Sequence, residues 1–160
     1  MVYFILGIIV LILDIATKFV AMQNLQGVNT VSIWQNVFHF TYVENRGIAF
    51  GMFENARFFF IVATIIILVI LSCLYIKTEY RTKWLKVGTA LIYGGAIGNF
   101  IDRIARGFVV DFLDFRIINF PVFNVADIAV CVGAAMLVMH FFISEKRAEQ
   151  VEEKEDEENA

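Results

Sequence analysis

Five aspartates, Asp14, Asp102, Asp111, Asp114 and Asp127, lie within or close beside long apolar runs of this 160-residue chain. Placing an ionisable group in hydrocarbon costs on the order of 3 kcal/mol even on a lenient insertion scale, so several together need mutual compensation or a chemical task. Two carboxyls held close cannot both ionise easily, and the pair keeps one proton over a useful pH range. The ionised member can then take a proton from water while the protonated one donates to a carbonyl oxygen, the acid–base arrangement of aspartic proteases. His39 and His140 have no H-E-x-x-H around them, and Cys73 and Cys131 form no C-x-x-C pair. No metal site is indicated. Peptide hydrolysis by an aspartate pair is the catalytic option these residues permit, and their types alone do not select the pair.

Spacing brings other polar residues to the same places. Asp14 and Lys18 are i,i+4 and can pair on one helix face. Asn99 and Asp102 are i,i+3, as are Asn124 and Asp127, and Arg103 follows Asn99 at i+4. Polar clamps holding a helix bundle together are the plain alternative. A proton-coupled transporter subunit and a non-enzymatic membrane assembly factor are the competing functional readings, since buried acids also mark ion paths. Gly94, Gly95 and Gly98 read as close helix packing, with approach of a substrate backbone as a second use.

Four apolar stretches must position these groups: about 3–22, 57–76, 84–103 and 121–144. Each is near the ~20 residues that a helix needs to cross ~30 Å of hydrocarbon. The chain is 59% hydrophobic with one proline, more apolar side chain than a soluble domain of this size can hide. The first stretch lacks a basic start and is interrupted by Asp14, so it reads as a retained span and not a cleaved leader. Counting ~1.5 Å per residue, Asp14, Asn99, Asp102, Arg103 and Asp127 converge on one half of the bilayer, with Asp111 in the connection just beyond. The two cysteines, inside apolar runs, read as buried packing residues.

Lysine and arginine set the orientation. Lys77, Arg81, Lys83 and Lys86 gather between the second and third spans, and Lys146 and Arg147 follow the fourth. Both termini are therefore expected in the cytoplasm, with outward segments 23–56 and 104–120. Residues 30–34 and 37–43 are rich in β-branched and aromatic side chains and suggest two short strands on the outer face. The fold expected is an all-α integral membrane protein, four transmembrane helices with a small β-sheet and loops outside. Residues 1–144 form the membrane domain, and 145–160 an acidic, disordered cytoplasmic tail. That tail accounts for the overall charge of −3. No basic stripe points to nucleic acid.

Five blocks, in order, resemble the lipoprotein signal peptidase (signal peptidase II) family: Asp14–Lys18, Glu44–Phe50, Gly94–Arg103, Val109–Phe112 and Phe123–Asp127. The resemblance implies an aspartic endopeptidase of the bacterial cytoplasmic membrane that cuts the signal peptide just before a diacylglyceryl-modified cysteine, without a cofactor. It implies Asp111 and Asp127 as the catalytic pair, near the outer face. Asn45, Asn99, Arg103 and Asn124 match positions that contact substrate or the cyclic peptide antibiotic globomycin. Asp14, Lys18 and Gly47 lie in matched blocks that support the site. Asp102 is expected to support Arg103 or the fold, and Asp114, outside the matched blocks, to be an interfacial surface residue. The implied partners are a lipid-modified prolipoprotein and membrane lipids.

Overall fold

The structure is a computed structural model that describes residues 2–47 and 57–158. The expected positions 48–50 of the second block lie outside the described residues. Four helices are present: α1 (Val2–Leu25), α2 (Arg57–Lys77), α3 (Lys83–Arg106) and α4 (Val125–Glu158). Between them lie β1 (Thr30–Trp34), β2 (Phe38–Asn45) and β3 (Val109–Phe115). Three helices are long and apolar enough to cross a membrane, namely α1, α2 and α4 as far as Ala148. α3 has 24 residues, about 36 Å of rise, but carries the glycines and charges that lower its hydropathy.

α3 is the central helix and touches α1, α2 and α4. Small residues make this possible, because they let helix backbones approach closely. A Cβ on Gly94 would meet the Gly7 carbonyl of α1 at 2.5 Å, and one on Gly133 would meet the Gly88 carbonyl at 2.7 Å. A Cβ on Gly95 would run into the Ala126 carbonyl of α4, and one on Gly98 into the Asp14 carboxylate. The space beside Gly94, Gly95 and Gly98 is thus filled by the protein's own helices, which removes the expectation that a substrate backbone approaches there.

Each end of α3 has a chemical stop. Thr82 caps the start, its Oγ1 accepting from the Leu85 N–H at 3.2 Å, and Gly107 with φ 85° closes the end. α4 begins at Val125 and not at Pro121, because Phe123 exchanges backbone hydrogen bonds with Leu113 of β3 and Asn124 is the cap. At its far end α4 runs helically to Glu158, where a disordered tail is expected. Glutamate and lysine are good helix formers that simply extend a helix already nucleated by the membrane segment.

The sheet is antiparallel in the order β1-β2-β3. Its third strand is absent from the sequence expectation. β3 sits on Ala21 and Leu25 at the end of α1, through Val110 and Phe112. A bulge in β2 between Phe40 and Val43 shifts the register opposite Asp111, a device that re-aims side chains next to functional sites. Two further expectations are corrected. Cys73 and Cys131 are exposed on the outer faces of α2 and α4, not buried; helices apolar all round do not reveal which face is inward. Asp114 is buried and not a surface residue, accepting from Thr41 Oγ1 at 2.6 Å and Arg116 Nε at 2.9 Å. Although burial opposes its charge, those two bonds hold its carboxyl below the usual range.

Candidate active site

The N-terminus of α4 is tied by a reciprocal cap. Asn124 Oδ1 accepts from the Asp127 N–H at 3.0 Å, and Asp127 Oδ2 accepts from the Asn124 N–H at 3.1 Å. This is the capping-box geometry with asparagine and aspartate in the two roles. The next free donor, the Ala126 N–H, is taken by Asp14 Oδ1 at 3.0 Å, which fastens α1 to the start of α4. The i,i+3 spacing of Asn124 and Asp127 is therefore a helix cap first, and it fixes where the Asp127 carboxyl stands.

A buried ion cluster lies alongside. Lys18, 1% exposed, pairs with Asp14 Oδ2 at 2.8 Å and Asp102 Oδ2 at 3.1 Å, and donates to Asn99 Oδ1 at 2.7 Å. Asp102 also pairs with Arg106 and accepts the Val110 N–H at 3.2 Å. Asp102 therefore braces α1, α3 and β3 against one another, and its bonds do not go to Arg103. Arg106 was not anticipated, although its i,i+4 spacing from Asp102 is visible in the sequence.

Because the Asn99 oxygen faces the Lys18 ammonium, its amide nitrogen must turn the other way, and it donates to Asp127 Oδ1 at 2.8 Å. Asn124 is oriented by the same logic. Its oxygen holds the Asp127 N–H, so its nitrogen donates to Asp111 Oδ1 at 2.7 Å and to Asn99 Oδ1 at 3.2 Å. Two asparagine amides thus join the two carboxyls. Asn45 Nδ2 completes Asp111 by donating to its Oδ2 at 2.9 Å, while Asn45 Oδ1 accepts the Gly47 N–H at 3.0 Å. Gly47 acts through its backbone, setting the direction of Asn45.

Asp111 is 1% exposed, whereas Asp127 is half-buried. Burial, and then the neighbouring Asp127 carboxylate, push the Asp111 carboxyl up to about 7 against the lowering effect of Asn45 and Asn124. Arg103 is within electrostatic reach of both carboxyls, donates to the Asn99 carbonyl at 3.4 Å, and lies over the Phe60 ring at 5.1 Å. Three cations, Lys18, Arg103 and Arg106, face four carboxyls, Asp14, Asp102, Asp111 and Asp127. One proton on the Asp111–Asp127 pair balances the cluster. Such a pair, with one acid and one acceptor within mutual influence, is equipped to activate water and protonate a carbonyl.

The family described as signal peptidase (SPase) II matches residues 6–143. A lipoprotein signal peptidase of Halothermothrix orenii is 44% identical over 143 residues, 89% of this chain and 97% of that protein. One of Clostridioides difficile is 43% identical over 149 residues, 92% of this chain and all of that protein. Among solved structures, a bacterial membrane enzyme determined by the in meso method at 2.3 Å superposes with a TM-score of 0.81 at 30% identity. The match covers 91% of this chain and 90% of that one. A second such enzyme, at 1.9 Å, gives 0.78 at 31% identity over 88% and 92% of the two chains.

Proposed function

This chain belongs to the signal peptidase II family, and we propose that it removes signal peptides from prolipoproteins by aspartic catalysis at Asp111 and Asp127. The observation that carries the reading is the pair itself: two carboxyls joined through Asn99 and Asn124, one holding a proton to about 7. Asp111 is the buried member and keeps the proton, whereas Asp127 is half-buried and both its oxygens accept N–H groups, so Asp127 is the carboxylate that takes a proton from the attacking water. Asp111 donates its proton to the scissile carbonyl oxygen as the hydroxide adds to carbon. As the tetrahedral intermediate collapses, Asp127 gives that proton to the leaving nitrogen, Asp111 takes one back from a hydroxyl of the former carbonyl carbon, and the amide bond breaks. Arg103 and Asn45 flank the pair and hold the substrate backbone, and globomycin competes for the same residues.

All four helices span the bilayer in this reading, α3 included, since its glycines seat the backbones of α1 and α4 against it. The lysine-rich link between α2 and α3 lies in the cytoplasm together with both termini. The aspartates then stand near the outer face of the cytoplasmic membrane, where a cysteine bearing a diacylglyceryl group resides. A transport role is not supported by the distribution of charge: the buried acids of the described residues run from Asp14 at the middle of α1 through Asp102 near the end of α3 to Asp111 and Asp114 in β3, whereas an ion path needs groups along its whole length.

The substrate assignment has a direct test. Purified protein in detergent is expected to cleave a diacylglyceryl-modified precursor before its cysteine and to leave the unlipidated precursor uncut. Equal cleavage of both would remove the lipid from the recognition. The pH profile tests the protonated partner. Turnover should fall as pH rises through about 7, where Asp111 loses its proton. Asn45 donates to the ionised form, so Asn45→Ala should raise the Asp111 value and move this basic limb to higher pH. A limb that stays in place, or moves to lower pH, would contradict the assignment of the proton to Asp111.

A further inference from the structure

At the end of the bundle opposite the aspartates, α1 and α2 both lean on α3 with little contact between themselves. They leave a trough of about 470 Å³, floored by one face of α3 from Lys86 to Ile97. That volume is in the range of sites that hold small ligands, ~300–1,000 Å³. Its walls are almost wholly apolar, with Phe4 and Ile8 on one side and Ile76 on the other. Among the polar side chains that line it, Ser72 and Tyr93 bond each other, and two others stand apart. The Lys86 ammonium lies 5.9 Å from the Tyr3 ring centroid and has no ion pair among the described residues. Thr89 Oγ1 is buried with no hydrogen-bond partner among the described residues.

The order of these groups along α3 is informative. Lys86 and Thr89 are three residues apart, about 4.5 Å of rise, and the apolar floor continues beyond them. A glycerophospholipid presents the same order: an anionic phosphate, then ester oxygens, then hydrocarbon. We propose that this trough binds one anionic phospholipid, its phosphate at Lys86, an ester oxygen at Thr89 and one acyl chain laid along α3 toward Ile97. The charge around the mouth favours this occupant over the apolar helix of a signal peptide. Signal peptides lead with positively charged residues, and those would meet Lys77, Lys83 and Lys86. An anionic headgroup meets opposite charge there, with Glu79 as the one acid in the α2–α3 link. A lipid in this place ties α1 and α2 together across a gap that the protein leaves open.

The full chain, purified in non-ionic detergent, is titrated with phosphatidylglycerol or phosphatidylcholine of identical acyl chains. Bound lipid is read by native mass spectrometry, with the thermal midpoint as a second readout. Phosphatidylglycerol is expected to bind about fivefold more tightly, the effect of one interfacial cation, and to raise the midpoint more. Lys86→Gln, on a partly exposed side chain, should erase that preference, and Ile8→Trp, which fills the trough, should exclude both lipids. Equal binding of the two lipids, or a preference that survives Lys86→Gln, would overturn the proposal. So would a synthetic signal peptide whose binding is lost in Ile8→Trp while lipid binding persists, since the trough would then be a substrate groove.

Discussion

Asp111→Asn is expected to lower turnover of a lipidated precursor by about a thousandfold or more, the upper part of the range for losing a positioned acid or base. The same variant should be at least as stable as the unmutated protein at neutral and alkaline pH. The sign follows from the Asp111 carboxyl, which stands at about 7 in the folded chain against an ordinary 3.8. Between those values the folded protein keeps a proton that the unfolded chain has released, so its stability declines as pH rises and the loss is complete above about 7. An amide cannot ionise and escapes that penalty. It does lose one bond from Asn45 or Asn124, because its nitrogen cannot accept, at about 1 kcal/mol. A dead but stable variant, measured by product formation and by thermal midpoint across pH, separates catalysis from structure. A variant that is inactive because it is unfolded would argue that Asp111 serves the fold.

Lys18→Met should show the opposite pattern. Its ammonium holds Asp14, Asp102 and Asn99 in a site closed to water. Methionine fits the space, but it leaves two buried carboxylates without their common cation. Breaking a buried pair by deleting one partner costs about 3–5 kcal/mol, a large share of the total stability of a domain. The thermal midpoint and the monodisperse fraction on size exclusion should both fall steeply at every neutral pH. Activity falls with them, because Asn99 loses the contact that turns its nitrogen toward Asp127. Adding Asp14→Asn to Lys18→Met should recover part of the stability, since the two residues are in contact and their effects are not additive. Full stability of the single variant would mean that the ion cluster contributes nothing to the fold.

The polar spacing was largely legible before the fold. Asp14 and Lys18 pair as their i,i+4 positions suggest, and α1, α2 and α3 start and stop within a few residues of the apolar runs, whereas α4 starts later and continues to Glu158. Other features were hidden for identifiable reasons. β3 carries Asp111, yet Val109-Val110-Asp111-Phe112 is buried on both faces, so the alternation that marks a half-buried strand is missing. Its pairing with β2 and Phe123 is non-local and leaves no trace in a single run of residues. The Asn124–Asp127 spacing was visible, but its meaning as a cap depended on α4 beginning at Val125. Cys73 and Cys131 failed for the reverse reason: in an apolar helix, hydropathy says nothing about which side meets protein. Asp114 reads as a surface residue in the sequence because its partners, Thr41 and Arg116, are supplied by sheet register and a turn.

The central claim is that Asp127 and Asp111 act together on the scissile bond, and Asp127→Asn tests it most directly. Asparagine can still accept the Asn124 N–H, so the cap of α4 survives with the loss of one bond among those made by Asn99 and Asn124. The decisive measurement is cleavage of a diacylglyceryl-modified precursor by this purified variant, with its thermal midpoint recorded alongside. No product above the uncatalysed background from a protein that melts near the unmutated value is the predicted result. Cleavage at close to the unmutated rate by that same folded variant would contradict the account and move the catalytic pair away from Asp127.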